Sequence, residues 1–509
     1  MGGFKDLFKK YGMFPGNDRQ ATFSKPNQSR SESAVAINPL NPANMIAISK
    51  KFIDPTKYHF TVEPVLTNDG GTTWNPLPLP APVDWDGMTD PVVVFDHQGT
   101  AFVVAEPLRF DPNDITVTGL HIFRLPNGGN TWSAPSSLIV GRAVDGNDDK
   151  SWMACDRGAA SPWKGRVYVA WGVGSALRIV RSKDGGATWI GVGNLSAGSN
   201  VPGSNSVYAP EVSVDDKGIV HIVSHNPGSS TIVYTRSTDG GETFENARVI
   251  VNNVQGLTSP PLQQTGSWPE FPNAKFRVLT LATGCAVENR FLVAWSDLRE
   301  GFARIYYHYS NDSGATWAPS SGQPLWPSLD SSSAVYQFHP QIVADGSGVV
   351  SCAFYEFGQT PAGYRIKTRI MGSFDKGVNF GLPADVTDNP WDPAVNAPLS
   401  HGNPDDTFIG EYFGLDADQD GFAVIWTDTR TGVQELFYDR VETSTYDIPR
   451  ILQGLAWAWI IIVGGLMITP GGVSCIVCGP VLSKFIGVIS ILVGITGFAV
   501  QRQQIGARG

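Results

Sequence analysis

The octapeptide Ser182-Lys183-Asp184-Gly185-Gly186-Ala187-Thr188-Trp189 constrains this chain more than any other stretch. It reads as a tight hairpin turn with its own fastening: the Asp carboxylate accepts backbone N–H groups, and the glycines supply positive φ at no steric cost. The Thr returns the chain to β geometry, and the Trp packs beside its neighbours. Thr67 to Trp74, Ser237 to Phe244 and Ser310 to Trp317 repeat the phrase. Two degenerate copies complete the set: Leu125 to Trp132 has Asn127 in the Asp place, and Ser373 to Phe380 has Asn379 in the Thr place. Successive copies lie roughly 55–75 residues apart, a period that signals radial repetition of a small sheet.

Six copies in register resemble the Asp-box (BNR) repeat of the sialidase/neuraminidase-like β-propellers, over about Ser33 to Val441. The resemblance implies an all-β propeller whose boxes fasten blades and do no chemistry. Abundant Gly and Pro with 17% charged residues suit such a turn-rich fold. Inner strands are expected near Glu32, Asp90 to Asp96, Lys150 to Asp156, Pro210 to Asp215, Phe276 to Leu281, Pro340 to Asp345 and Glu411 to Asp416. Seven blades follow from that count, with six, the number in sialidases, as the alternative. The seventh phrase has no box and no outer strand. Because an open ring would expose a strand edge, a segment before Ser33, around Ala21 to Lys25, is expected to supply it.

The chain divides into an N-terminal amphipathic segment (1–20), the propeller (21–446) and a C-terminal hydrophobic segment (447–509). Phe4, Leu7, Phe8 and Tyr11 fall at helical spacing among Lys5, Lys9 and Lys10, which suits an interfacial helix or one docked on protein. Met1 to Phe14 has no apolar run of signal-peptide type, and Asp6 breaks the myristoylation pattern. Ile451 to Thr469 carries no charge, and Val481 to Val500 carries only Lys484. Each run matches the ~20 residues that cross a bilayer, and Thr469-Pro470-Gly471-Gly472 between them is turn chemistry. An α-helical transmembrane hairpin over 451–500 is therefore expected, with a buried hairpin used for oligomerisation as the alternative. Arg450, Arg502 and Arg508 at its flanks, against Lys484 near its loop, favour a cytoplasmic propeller.

A net charge of -10 with no basic cluster excludes a nucleic-acid partner. Cys155, Cys285, Cys352, Cys475 and Cys478 form no disulfide framework, and Cys475-x-x-Cys478 lacks a second ligand pair. No cofactor and no metal are expected. In an up-and-down blade the inner-strand starts and the second–third turns share one face, opposite the boxes, and a ligand site belongs there. That face collects Glu32, Asp90, Asp149, Tyr208, His339 and Glu411, and two related phrases, Asp297-Leu298-Arg299 and Asp428-Thr429-Arg430, each of which also suits a local salt bridge.

The sialidase resemblance further implies three arginines clamping a substrate carboxylate, a Tyr nucleophile activated by a Glu, and an Asp acid/base. The corresponding candidates are Tyr412 as nucleophile, Glu211 as its partner and Asp90 as the acid. Arg30, Arg277, Arg299 and Arg430, with Glu411, are the ligand-binding candidates. Arg30 lies near the first arginine's place, although the Phe/Tyr-Arg-Ile-Pro phrase of those enzymes is absent. The reading is a membrane-anchored propeller that binds a partner protein or glycan on its loop face within an oligomer or larger membrane complex. The alternatives are an exo-sialidase-like glycoside hydrolase and a virion spike or adhesin.

Overall fold

The computed structural model describes residues 9–447 apart from the loop segments 24–27, 55, 81–84, 112–113, 118, 139–147, 174–175, 192–198, 206, 258–261, 265–267, 319, 331 and 401–402. Seven antiparallel sheets of four or five strands follow one another in chain order among the described residues, with two short two-stranded ribbons beside them. Their inner strands are Arg30–Ile37, Gly87–Phe95, Asp148–Cys155, Tyr208–Val214, Thr283–Val287, Val335–Ala344 and Gly414–Ala417, and we number the blades 1 to 7 accordingly. Each inner strand contacts the next, and that of blade 7 returns to that of blade 1, so the ring is closed. The core lies between blades. Six hydrophobic clusters each draw on two consecutive blades, such as Val92, Phe102 and Val104 of blade 2 with Met153, Val167 and Trp171 of blade 3.

Two expectations shift. The inner strand of blade 5 is Thr283–Val287 and not Phe276 to Leu281; Phe276 instead makes an isolated parallel bridge to Thr407. Lys9–Pro15 is a strand, so the helical spacing of Tyr11 with the preceding aromatics does not set its conformation. Residues 15–442 form one compact unit, and residues 1–14 with 443–509 form another. Among the described residues no helix is long and apolar enough to cross a membrane; residues 451–500, where the hairpin is expected, lie outside them.

Blade 7 takes its outer strand from the N-terminal segment, slightly earlier than expected. Arg19 and Gln20 pair with Tyr438 and Phe437, and the Ala21 N–H donates to the Leu436 carbonyl at 2.8 Å. Buried Thr22 finishes the seam: its hydroxyl donates to Glu435 Oε2 at 2.6 Å and accepts the Leu436 N–H at 2.9 Å.

The octapeptides join third to fourth strands and are fastened as their chemistry requires. In blade 3, Asp184 Oδ1 accepts the Thr188 N–H at 2.8 Å and Oδ2 accepts the Thr188 hydroxyl at 2.6 Å. The Ser182 hydroxyl donates to Asp184 and accepts the Gly186 N–H at 2.7 Å. Asp69, Asp239, Asp312 and Asp375 repeat the pattern, with the Asn379 amide replacing the Thr hydroxyl in the last. Asn127 departs from it, donating to the Gln98 carbonyl and accepting from Asn38.

The glycine two places after each box Asp does a further job. Gly186 faces Phe102, Gly241 faces Tyr168, Gly314 faces Tyr234 and Gly377 faces Leu292, each on the preceding blade. Gly71 of blade 1 faces Tyr438 of blade 7. A Cβ on any of the five would lie within 3 Å of that neighbour, so the box also seats one blade on another.

Candidate functional site

Five inner strands carry the same irregularity. Register jumps between Ser31 and Ala34, Thr89 and Val92, Asp149 and Trp152, Tyr208 and Glu211, and Phe338 and Gln341 set two residues against one on the second strand. These are β-bulges, which bend a strand and re-aim its side chains. The first bulge residue has positive φ in every case: Glu32 (50°), Asp90 (47°), Lys150 (55°), Ala209 (50°) and His339 (47°). Such a backbone is strained for a non-glycine residue, and its recurrence at one level of the ring marks a site that the fold is built around. Pro91, Pro210 and Pro340 occupy the second position, where the strand spares an N–H.

The bulges bring charged side chains together at the axis. Lys150 Nζ lies 3.1 Å from Glu32 Oε1, 3.2 Å from Asp90 Oδ1 and 2.6 Å from Glu411 Oε2. Lys50 Nζ takes the other Glu32 oxygen at 2.7 Å and lies over the Phe60 and Phe408 rings. Arg277 Nε lies 2.8 Å from Glu411 Oε1, its guanidinium stacked between Trp268 and Phe408. Beside these, the Tyr208 hydroxyl donates to Asp149 Oδ2 at 3.1 Å, and the Ser151 N–H donates to Glu106 Oε1 at 3.0 Å.

Burial and neighbouring charge divide the carboxyls into two kinds. Burial raises Asp90, but Lys150 and Lys50 outweigh it and hold the group at about 2. Glu411 is likewise held low against burial by Arg277 and Lys150. Asp149 goes the other way: burial, reinforced by the Asp90 charge and only partly relieved by Lys150, pushes it up to about 7. Burial and the charges of Asp90 and Asp149 push Glu106 well above the ordinary range. Lys150 is held strongly protonated because Asp90, Glu32 and Glu411 overcome its burial. His339 is driven down to about 3 by burial, and neither of its ring nitrogens has a partner.

The sequence-expected residues separate. Asp90, Glu411 and Arg277 belong to the axial cluster, although Arg277 precedes the inner strand of blade 5. Tyr412 is buried beside it, edge-on to Trp152 with Lys150 Nζ 5.6 Å from its ring, and its hydroxyl has no partner. Glu211 lines the same small cavity as Tyr412 but turns its carboxylate to the Thr283 hydroxyl and Gly284 N–H at 2.8 and 2.9 Å. It joins blade 4 to blade 5. Arg30 is buried against Glu63, with Glu435 at 3.8 Å. Arg299 is held by Asp297 of its own hairpin and donates to the Ser321 carbonyl; Arg430 is held by Asp428 and Asp18. In both hairpins the preceding indole N–H also reaches the Asp, from Trp295 at 3.1 Å and Trp426 at 3.2 Å.

Sequence reasoning missed Lys50, Lys150 and Glu106 as site residues. Lys50 and Glu106 had a signal, a charge set in an apolar strand run, which demands a buried partner; Lys150, among Asp149 and Ser151, had none.

No known protein family and no curated protein matches the sequence. Solved structures similar to the chain include a protein of unknown function from Dyadobacter fermentans, at 16% identity over 70% of this chain and 98% of that one, with TM-score 0.45. The NanB sialidase of Streptococcus pneumoniae matches at 11% identity over 66% of each chain, with TM-score 0.41. The Trypanosoma rangeli sialidase matches at 13% over 72% of this chain and 60% of that one, also with TM-score 0.41.

Proposed function

We propose that this chain is a non-catalytic binding propeller, held at a membrane by residues 451–500 and presenting its inner-strand face to a partner protein or glycan within a larger membrane assembly. One observation carries the reading: the acids and arginines that would do glycosidase chemistry are already held by other groups of the protein. Asp90 and Glu411 are neutralised by Lys150 and Arg277, and Glu211 serves Thr283 and Gly284 in place of Tyr412. Arg30, Arg299 and Arg430 each have a carboxylate of their own. A carboxylate clamp needs guanidinium forks free to meet the ligand.

The exo-sialidase alternative keeps one observation in its favour, since Tyr412 and Glu211 line one cavity. The test uses the full chain purified in mild detergent. A fluorogenic sialoside should show no turnover, and partners retained through purification should be lost when the loop face is altered. Turnover abolished by Tyr412→Phe would establish the hydrolase instead. Membrane flotation should be lost when residues 451–509 are removed; a truncated chain that still floats would assign the anchor elsewhere.

A further inference from the structure

The axial cluster does not balance. Glu32, Asp90, Glu106, Asp149 and Glu411 face Lys50, Lys150 and Arg277, five acids against three cations, all almost wholly buried except Asp149, which is half-buried. Ion pairing accounts for Glu32, Asp90 and Glu411, which lie within 3.2 Å of a cation. Glu106 and Asp149 are the two acids left without a cation of their own, so a proton or a bound ion must neutralise them. Isolated buried charge is costly enough that something must neutralise it.

The same two carboxyls, with Asp90, offer oxygens that all lie within 4.8 Å of one another. Two oxygens on one calcium at ~2.4 Å are at most about 4.8 Å apart, so the spacing of the three is within the limit that a shared ion sets. Two observations outside the triad's own spacing point to a ligand. Glu106 Oε2 is fully buried without a hydrogen-bond donor, although its other oxygen is satisfied by Ser151. The buried Tyr412 hydroxyl is also unpartnered, and it feels the charges of Glu32, Asp90 and Glu106.

We propose that a divalent cation, calcium by preference, binds at the propeller axis between the carboxylates of Asp90, Glu106 and Asp149. Two positive charges cancel the excess, which a monovalent ion would not. Calcium accepts an irregular oxygen set, whereas magnesium demands near-octahedral geometry and gives up its waters reluctantly. Hard carboxylate oxygens without a thiolate argue against the softer transition metals. Lys150 does not exclude the ion, because its ammonium is shared among Glu32, Asp90 and Glu411. The ion would tie blade 2, which supplies Asp90 and Glu106, to blade 3, which supplies Asp149.

The test strips the full chain in detergent with EDTA and returns calcium, magnesium or manganese at pH 7.5. Calcium at millimolar concentration should raise Tm by about 3 °C or more, with magnesium giving less. Terbium substituted for calcium should luminesce on tryptophan excitation, since Trp152 packs beside Tyr412, and calcium should displace it. Glu106→Gln and Asp149→Asn should each weaken binding at least 10-fold, while Asp312→Asn in an exposed box should leave it unchanged. Should a variant fail to fold, terbium binding and metal content of the unaltered chain decide. A wild-type protein that shows no dependence on any of the three ions holds protons there, and the proposal fails. Equal calcium binding by wild type, Glu106→Gln and Asp149→Asn would place the ion elsewhere and overturn it too.

Discussion

Lys150 Nζ lies 2.6 Å from Glu411 Oε2, joining the inner strand of blade 3 to the segment that enters blade 7. These blades are not neighbours in the ring, so the pair spans the central channel. Its two members are almost wholly buried, and each also holds a second partner. The centre of the disc is thus filled by ion pairs where the seams between blades are filled by hydrocarbon.

Removing that ammonium should be severe. Lys150→Met leaves Glu32, Asp90 and Glu411 short of a cation, and breaking a buried pair from one side costs ~3–5 kcal/mol. Lys183→Met makes the comparison, because Lys183 meets Glu242 at an exposed site and should cost under about 1 kcal/mol. Urea unfolding of the two variants checks the difference; equal losses would mean that the axial pairs contribute no more than surface ones.

Gly71 and Gly301 separate backbone strain from packing. Both have φ near 85°, but a Cβ on Gly71 would meet the Tyr438 ring at 2.1 Å, whereas one on Gly301 would meet nothing within 4 Å. Gly301→Ala should cost about 1 kcal/mol for the left-handed backbone alone. Gly71→Ala should cost a further ~1–3 kcal/mol for overpacking the seam between blades 7 and 1. Thermal unfolding of both proteins measures the gap.

The buried carboxyls give stability a defined pH course. Burial raises Glu211 and Asp439 to about 8. Each has a folded pKa above its unfolded one, so the folded state binds the extra proton and stability falls as pH rises through that range. His339 and His225, lowered to about 3 and 4 by burial, act oppositely, but their contribution is complete once pH exceeds about 6.5. Between pH 6.5 and 8.5 the acids act alone and Tm should decline. Glu211→Gln keeps an oxygen for Thr283 and Gly284 while removing one titration, and it should flatten that decline. A Tm that climbs over this interval would contradict the assignment.

The fastened turns were readable because an Asp box is local: Asp184 and Thr188 carry both halves of their hydrogen bonds within one octapeptide. Ring closure was readable as a need, from a seventh blade lacking an outer strand, but its register was not. Arg19 and Gln20 have no alternation that distinguishes them from Ala21 to Lys25, and the partners lie at the far end of the chain. The acidic strand starts were readable as a face, yet the cations opposing them were not. Lys50 stands on a second strand, and Arg277 lies on a loop well before its blade. Helical spacing misled at Tyr11, where pattern alone does not tell a short strand from a helix.

The glycine seats also order the assembly in time. Blades 3, 4, 5 and 6 find the side chain that their box glycine covers on a blade made just before, so each can dock as it leaves the ribosome. Blade 1 is the exception: it is made early, but its Gly71 waits for Tyr438. The side chain of Thr22 waits with it, for Glu435. A nascent or prematurely ended chain therefore carries a complete first sheet with one face uncovered, exposing Val35, Ala47 and Val65, which the finished protein packs against Ala423 and Ile425. The last residues of the propeller to be synthesised are the ones that make its first residues safe from aggregation.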